Sequence, residues 1–270
     1  MSPTRRPALP FLLLSSLLAL PLTGTAADTG ASDRWTKQLS VGGGVAPRYS
    51  GSKDYQAVPM LSFEATSPGG WFLGTGGVGW STTVAGRASL RGYVSASNSR
   101  RDKDAFLEGS DHLRGMGRIR SRAMVGVAGS YVVGTAVLTA GLQYTPRDSD
   151  RGDNGLATGH AVLGVDVPLF ALAGGKLSAT GSAEYGNKGY MQTWYGVTAA
   201  QSASSGFRAF TPKAGFHSAG LGLTWRRELG ARSDWFISVE GARLLGDAAD
   251  SPIVQKANQF TAISGYNRRF

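Results

Sequence analysis

Three observations predict an all-β chain that closes into a transmembrane antiparallel β-barrel of the bacterial outer membrane. Apolar and polar residues alternate with period two along most of the chain, aromatic residues gather near the ends of the alternating runs, and the connections are short and long by turns. Alternation alone would suit a soluble sandwich. The face opposite the apolar one decides against it, because it carries Gly, Ser and Thr with scattered charges. Small residues interleaved with ion pairs suit a narrow lumen, whereas a sandwich facing open water has room for large polar side chains.

The first residues set the compartment. In "MSPTRRPALPFLLLSSLLALPLTGTAADTG", Arg5 and Arg6 precede an apolar run and the small residues Thr25, Ala26 and Ala27. The run contains Pro10 and Pro21 and is shorter than the ~20 residues that span a bilayer as a helix. Residues 1–27 are expected to be a signal peptide cleaved after Ala27, with Ala26 as the alternative. Residues 28–270 are then expected to form a single barrel domain in the outer membrane.

The alternating segments run in order over 37–48, 55–66, 70–82, 86–97, 119–132, 135–146, 159–170, 176–187, 215–228, 233–246 and 259–270. In "TAVLTAGLQYT", Leu138, Ala140, Leu142 and Tyr144 oppose Thr139, Gly141 and Gln143. In "KLSATGSAEYG", Leu177, Ala179 and Tyr185 oppose Ser178, Thr180 and Glu184. In "HSAGLGLTWRRE", Leu221, Leu223 and Trp225 oppose Gly222, Thr224 and Arg226. That makes eleven strands. Single-chain bacterial barrels have even numbers, so twelve are expected, with ten as the alternative. The hidden strand is expected in 70–97, where the glycines of "GTGGVG" blur a turn, or in 187–200.

Phe260, Ala262, Ser264, Tyr266, Arg268 and Phe270 share one face of the final segment. Tyr266 and Phe270 are therefore expected at the periplasmic rim, where the last strand meets the first and where an aromatic end resembles the signal read by outer-membrane assembly machinery. Tyr131, Tyr144, Tyr185, Trp225 and Trp235 complete an expected interfacial girdle.

Composition narrows the chemistry. The chain has no cysteine, so disulfides and cysteine-bound metal are excluded, and its three histidines leave little for other transition-metal sites. No metal, cofactor or catalytic residue is expected. The formal charge of +10 includes Arg5 and Arg6, which leave with the signal. An exported chain seldom meets nucleic acid, so no nucleic-acid partner is expected. The expected partners of its basic surface are outer-membrane lipid and lipopolysaccharide, and Arg100, Arg101 and Lys103 of "SRRDKD" are well placed for lipopolysaccharide phosphates.

The motifs are modest one by one. Asp247 and Asp250 in "GDAADSPIV" are two carboxylates without further ligands, which reads as a turn bent by Pro252. "RGD" at Arg151 to Asp153 reads as a chance tripeptide. His112 lies in a charged loop, and His160 and His217 each begin a strand. No spacing sets a serine beside an oriented histidine, so the chain is expected not to be an enzyme.

Taken in order, three stretches resemble the MipA/OmpV family of outer-membrane proteins. "RYSGSKDYQAVPM" carries Tyr49, Gly51, Tyr55 and Pro59; "YMQTWYGVTAAQSASSGF" carries Tyr195, Gly196, Val197, Ser205 and Gly206; "RLLGDAADSPIV" carries Gly246, Asp247, Asp250, Ser251 and Pro252. The resemblance implies a non-enzymatic scaffold that links a murein lytic transglycosylase to a bifunctional penicillin-binding protein. The alternatives are a narrow porin for small solutes, or an adhesion or envelope-stress protein acting through its outer loops. Arg91, Arg122, Glu184, Arg226 and Glu240 are expected to project into the lumen and to narrow it.

Overall fold

The structure, a computed structural model, describes residues 34–148 and 155–270. The expected signal peptide and the Arg151–Asp153 tripeptide lie outside the described residues. The described residues form twelve strands in a closed antiparallel ring, each paired with its neighbours in sequence and the last with the first. The strands are β1 (Thr36–Pro47), β2 (Tyr55–Thr66), β3 (Trp71–Gly74), β4 (Gly77–Val84), β5 (Ala88–Ala96), β6 (Ala123–Val133), β7 (Ala136–Thr145), β8 (Thr158–Leu172), β9 (Gly175–Gly186), β10 (Gly215–Gly230), β11 (Ser233–Leu244) and β12 (Asn258–Arg269).

The apolar positions of each strand point outward and stay uncovered. Leu221 is 76% exposed, Leu61 69% and Leu142 65%, values that a core residue of a soluble sandwich never reaches. In hydrocarbon this face is satisfied, and the closed ring pairs the backbone groups that lipid cannot. Aromatics mark both edges of the apolar band. Tyr131, Trp235 and Tyr266 lie toward the short turns, and Tyr55, Tyr144 and Tyr185 toward the long loops. Closure runs through Val41 opposite Tyr266, and the Phe270 amide donates to the Lys37 carbonyl at 2.9 Å.

The expected single strand over 70–82 is a hairpin, β3–β4, turning at Thr75 and Gly76. This is the twelfth strand. The 187–200 region is not a strand but two short helices, α1 (Lys188–Tyr195) and α2 (Ala199–Ser205), joined in the outer connections by α3 (Gly246–Ala249). Asn187 accepts from the Tyr190 amide at the start of α1, Thr198 and Gln201 form a capping box on α2, and Gly206 ends α2 in a left-handed conformation (φ 80°). Because β3 is short, it pairs with β2 only over Glu64–Thr66. Pro59, in the upper part of β2, thus lies where a missing amide leaves the β2–β3 ladder intact.

The inner face is filled. Arg91 pairs with Glu64 at 2.5 Å and lies 3.4 Å above the Phe72 ring. Toward the short turns Arg226 pairs with Asp234, which also accepts from Asn267 at 2.9 Å. Gly126 leaves room for Tyr93, whose ring would lie 2.2 Å from an added Cβ. Arg91, Arg226, Glu184 and Glu240 project inward as expected. Arg122 instead precedes β6 and donates to the carbonyls of Pro146, Gly155 and Leu156, fastening the loop that follows β7.

Candidate functional site

The long connections fold over the outer mouth as a cap, and Tyr195 at the end of α1 ties its parts together. Its hydroxyl is 2.8 Å from Ser50 Oγ and 3.4 Å from Nδ1 of His217, while its carbonyl accepts from Ser251 Oγ at 2.5 Å. One residue thus joins the loop after β1, the wall at β10 and the loop after β11. Tyr49 donates to the Ile253 carbonyl at 2.8 Å and packs with Leu113, Met116, Val197 and Ile253. Gly51 adopts φ +100°, and its carbonyl accepts from the amides of Gln255 and Lys256. A Cβ on Gly51 would lie 2.5 Å from Val254.

The stretches read from the sequence therefore converge in space. Asp247 accepts from the Lys213 amide at 2.7 Å, and the Asp250 carbonyl accepts from Arg208 at 3.0 Å. Both hold backbone together. Ser205 donates to the Gln201 carbonyl at 2.6 Å within α2. Gly196 follows α1 where a Cβ would lie 2.1 Å from the Gln192 side chain, and Gly246 opens α3. Pro252 lies beside Ser251 and Ile253 in the turn after α3. Tyr55 and Pro59 face outward on β2, apart from this cluster; the Tyr55 hydroxyl accepts from the Phe260 amide at 3.2 Å.

The loop 97–122 corrects one expectation. Arg100 does not face lipopolysaccharide: it is buried, donates to the Trp194 carbonyl at 2.7 Å and lies 5.8 Å from the Trp194 ring centre. Burial pulls its pKa down to about 10. Arg101 pairs with Glu108 at 2.8 Å. Arg118 and Arg120 line an outer cleft of about 400 Å³ instead. Burial likewise raises the phenol pKa values of Tyr49, Tyr190 and Tyr195, so all three stay protonated.

Beneath the cap, on the inner wall, lies a group that sequence reasoning did not assemble. His160 from β8, Glu184 from β9 and His217 from β10 are all buried, with their ligand atoms within 4.8 Å of one another. His160 Nε2 donates to Glu184 Oε2 at 3.0 Å, and His217 Nε2 lies 3.8 Å from the same oxygen. A bulge places His217. Phe216 is opposite Tyr185 and Ser218 opposite Glu184, so His217 is the extra residue and turns inward. Phe216 turns outward against Tyr185, with ring centres 5.6 Å apart. The Tyr190 ring covers both imidazoles at 4.5 and 5.0 Å. The sequence does hold a signal of the bulge, because the outward positions change from even at Phe216 to odd at Leu221.

Comparison with known proteins agrees with the resemblance. The family model for MltA-interacting protein MipA matches residues 39–270. No curated protein matches the chain. Among solved structures, the chain is similar to the NanC porin at 7% identity and TM-score 0.44, covering 85% of this chain and 98% of that one. It is also similar to the translocator domain of the autotransporter NalP from Neisseria meningitidis, at 14% identity and TM-score 0.45, covering 87% and 88%. OmpT of Vibrio cholerae matches at 9% identity and TM-score 0.35, covering 88% and 97%.

Proposed function

Because this chain belongs to the MltA-interacting protein family, we propose that it is a non-enzymatic scaffold of the outer membrane. In this reading it brings a murein lytic transglycosylase close to a bifunctional penicillin-binding protein during cell-wall maintenance. The observation that carries the reading is the obstructed lumen. Arg91–Glu64 reaches over the inner face from β5 to β2, Arg226–Asp234 lies along the inner wall at the short-turn end, and the cap anchored at Tyr195 covers the outer mouth. A barrel filled in this way acts through its rims and not through its bore.

The rim that faces murein is the one with short turns. Arg87, Arg227, Arg232 and Arg268 are exposed there. Such a rim attracts acidic partners, whether the carboxylates of murein, inner-leaflet lipid phosphates or an acidic patch on a hydrolase. On the outer side, Arg118 and Arg120 are placed for lipopolysaccharide phosphates. The same reading includes export with cleavage after Ala27, and recognition of Tyr266 and Phe270 by the assembly machinery.

Affinity capture from solubilised envelopes, with partners identified by mass, tests the reading. Co-purification of a lytic transglycosylase, lost when Arg87 and Arg232 are both replaced by Glu, supports it. Stepwise conductance of the purified protein in planar bilayers, without a murein enzyme in the captured material, would replace it with the narrow-channel reading.

A further inference from the structure

We propose that His160, Glu184 and His217 bind one divalent transition-metal ion of zinc-like preference inside the barrel, beneath the cap. Two imidazole nitrogens and a carboxylate oxygen form the donor set of zinc sites that keep a position open. Zinc bonds to such donors at about 2.0–2.2 Å, which sets neighbouring donor atoms of a tetrahedron roughly 3.3 Å apart. The distances to Glu184 Oε2, 3.0 Å from His160 and 3.8 Å from His217, lie on either side of that spacing.

A plain buried ion pair would account for His160 and Glu184. It does not account for His217. That side chain is buried, with 2% of its surface exposed, and its Nε2 has no hydrogen-bond partner. At 3.8 Å the carboxylate is beyond hydrogen-bond reach of Nε2. Leaving a polar atom unsatisfied in such a place is costly, and so is the interrupted ladder at the bulge that turns His217 inward. A metal ion bound at Nε2 removes the first cost and gives the second a purpose.

The surroundings fit. The other nitrogen of His217, Nδ1, is held by the Tyr195 hydroxyl at 3.4 Å, the outer contact that fixes the ring of a metal-binding histidine. Tyr190 packs over both rings and restricts their rotation. Glu240 on β11 adds a second carboxylate on the inner wall. Gly220 makes room for it, since a Cβ there would lie 2.6 Å from Glu240 Oε1 and 2.7 Å from Ser182 Oγ. His160 also lines an inner cavity of about 60 Å³ with Tyr93, Gln143, Thr145 and Thr158, room enough for a water beside that ligand.

The test uses tag-free, chelator-treated protein in detergent, titrated with cobalt(II) and then zinc(II). The expected result is one equivalent of cobalt with the visible absorption of a four-coordinate nitrogen–oxygen site, displaced by one equivalent of zinc. His217→Asn and Glu184→Gln should lower the affinity by more than ~100-fold, beyond the 10–100-fold typical of outer-contact changes and expected here for Tyr195→Phe. His112→Asn, outside the cluster, should bind as the wild type does. Heat-modifiable gel mobility confirms folding, and His160→Gln replaces His217→Asn if the latter does not refold. Less than one equivalent bound by the wild type, or unchanged affinity in a folded ligand variant, overturns the proposal.

Discussion

The hydroxyl of Tyr195 lies 3.4 Å from Nδ1 of His217, joining the outer cap to the barrel wall through a single phenol. The same oxygen meets Ser50 at 2.8 Å, so the cap and the buried histidine share one support. Neither contact is replaced if the oxygen is removed.

Tyr195→Phe is therefore expected to destabilise the folded protein by about 1–3 kcal/mol, the cost of leaving buried partners unsatisfied. Ser50→Ala should cost less, because Tyr195 keeps its bond to His217. Urea unfolding of the refolded barrel in detergent measures both, and equal losses would show that Tyr195 is not the shared support.

On the outer wall, Leu221 is 76% exposed to the apolar band, while Thr224 points inward with Oγ1 2.9 Å from Ser238 Oγ. Leu221→Arg should cost ~2–4 kcal/mol if the residue lies at the bilayer midplane. Thr224→Arg, facing a lumen already lined with charge, should cost less in the same refolding titration into lipid vesicles.

Asp234 is buried at the short-turn end and holds Arg226 and Asn267. Asp234→Ala leaves Arg226 without its carboxylate. Arg226 keeps some exposure, so the loss should fall below the about 3–5 kcal/mol of a fully buried broken pair. Asp234→Asn should recover part of it by keeping an acceptor for Asn267. Thermal shifts of gel mobility would rank the two.

His112 carries the pH dependence of the cap. Its ring lies 6.4 Å from that of Tyr49 and 5.2 Å from that of Phe207, and burial lowers its pKa from the ordinary 6.5. The opened loop then binds a proton more readily than the folded one, so stability rises with pH through this interval. The contribution is complete above pH 6.5 and declines as the pH falls from there toward the folded-state value. Proteolysis of loop 97–122 should speed up below that point in the wild type, and His112→Phe should flatten the dependence.

Much of the barrel was legible because a period of two needs only local sequence. Leu221 against Gly222 and Leu142 against Gln143 carry the facing by themselves. The β3–β4 turn was hidden because Thr75 and Gly76 sit in a run of glycines. Yet the outward residues pass from odd at Trp71 and Leu73 to even at Val78 and Trp80, and that change of parity marks the turn. The capping box of Thr198 and Gln201 also stands in the sequence, and it would have argued for a helix against the strand considered for 187–200. The histidine cluster was not readable. It depends on the register of three strands and on one inserted residue, and no local pattern relates His160 to Glu184 or His217.

The cap has a place in time as well as in space. Ser50 reaches Tyr195 across 145 residues, and Tyr49 reaches Ile253 across 204. Contacts that distant carry a large loop-closure cost until the strands between them have brought their ends together. The cap is thus expected to form late, after β12 has found β1. A chain stalled with its ring open has the loops but not the lid, and the order in which proteases lose access to 97–122 and 187–214 records how far each molecule has come toward closure.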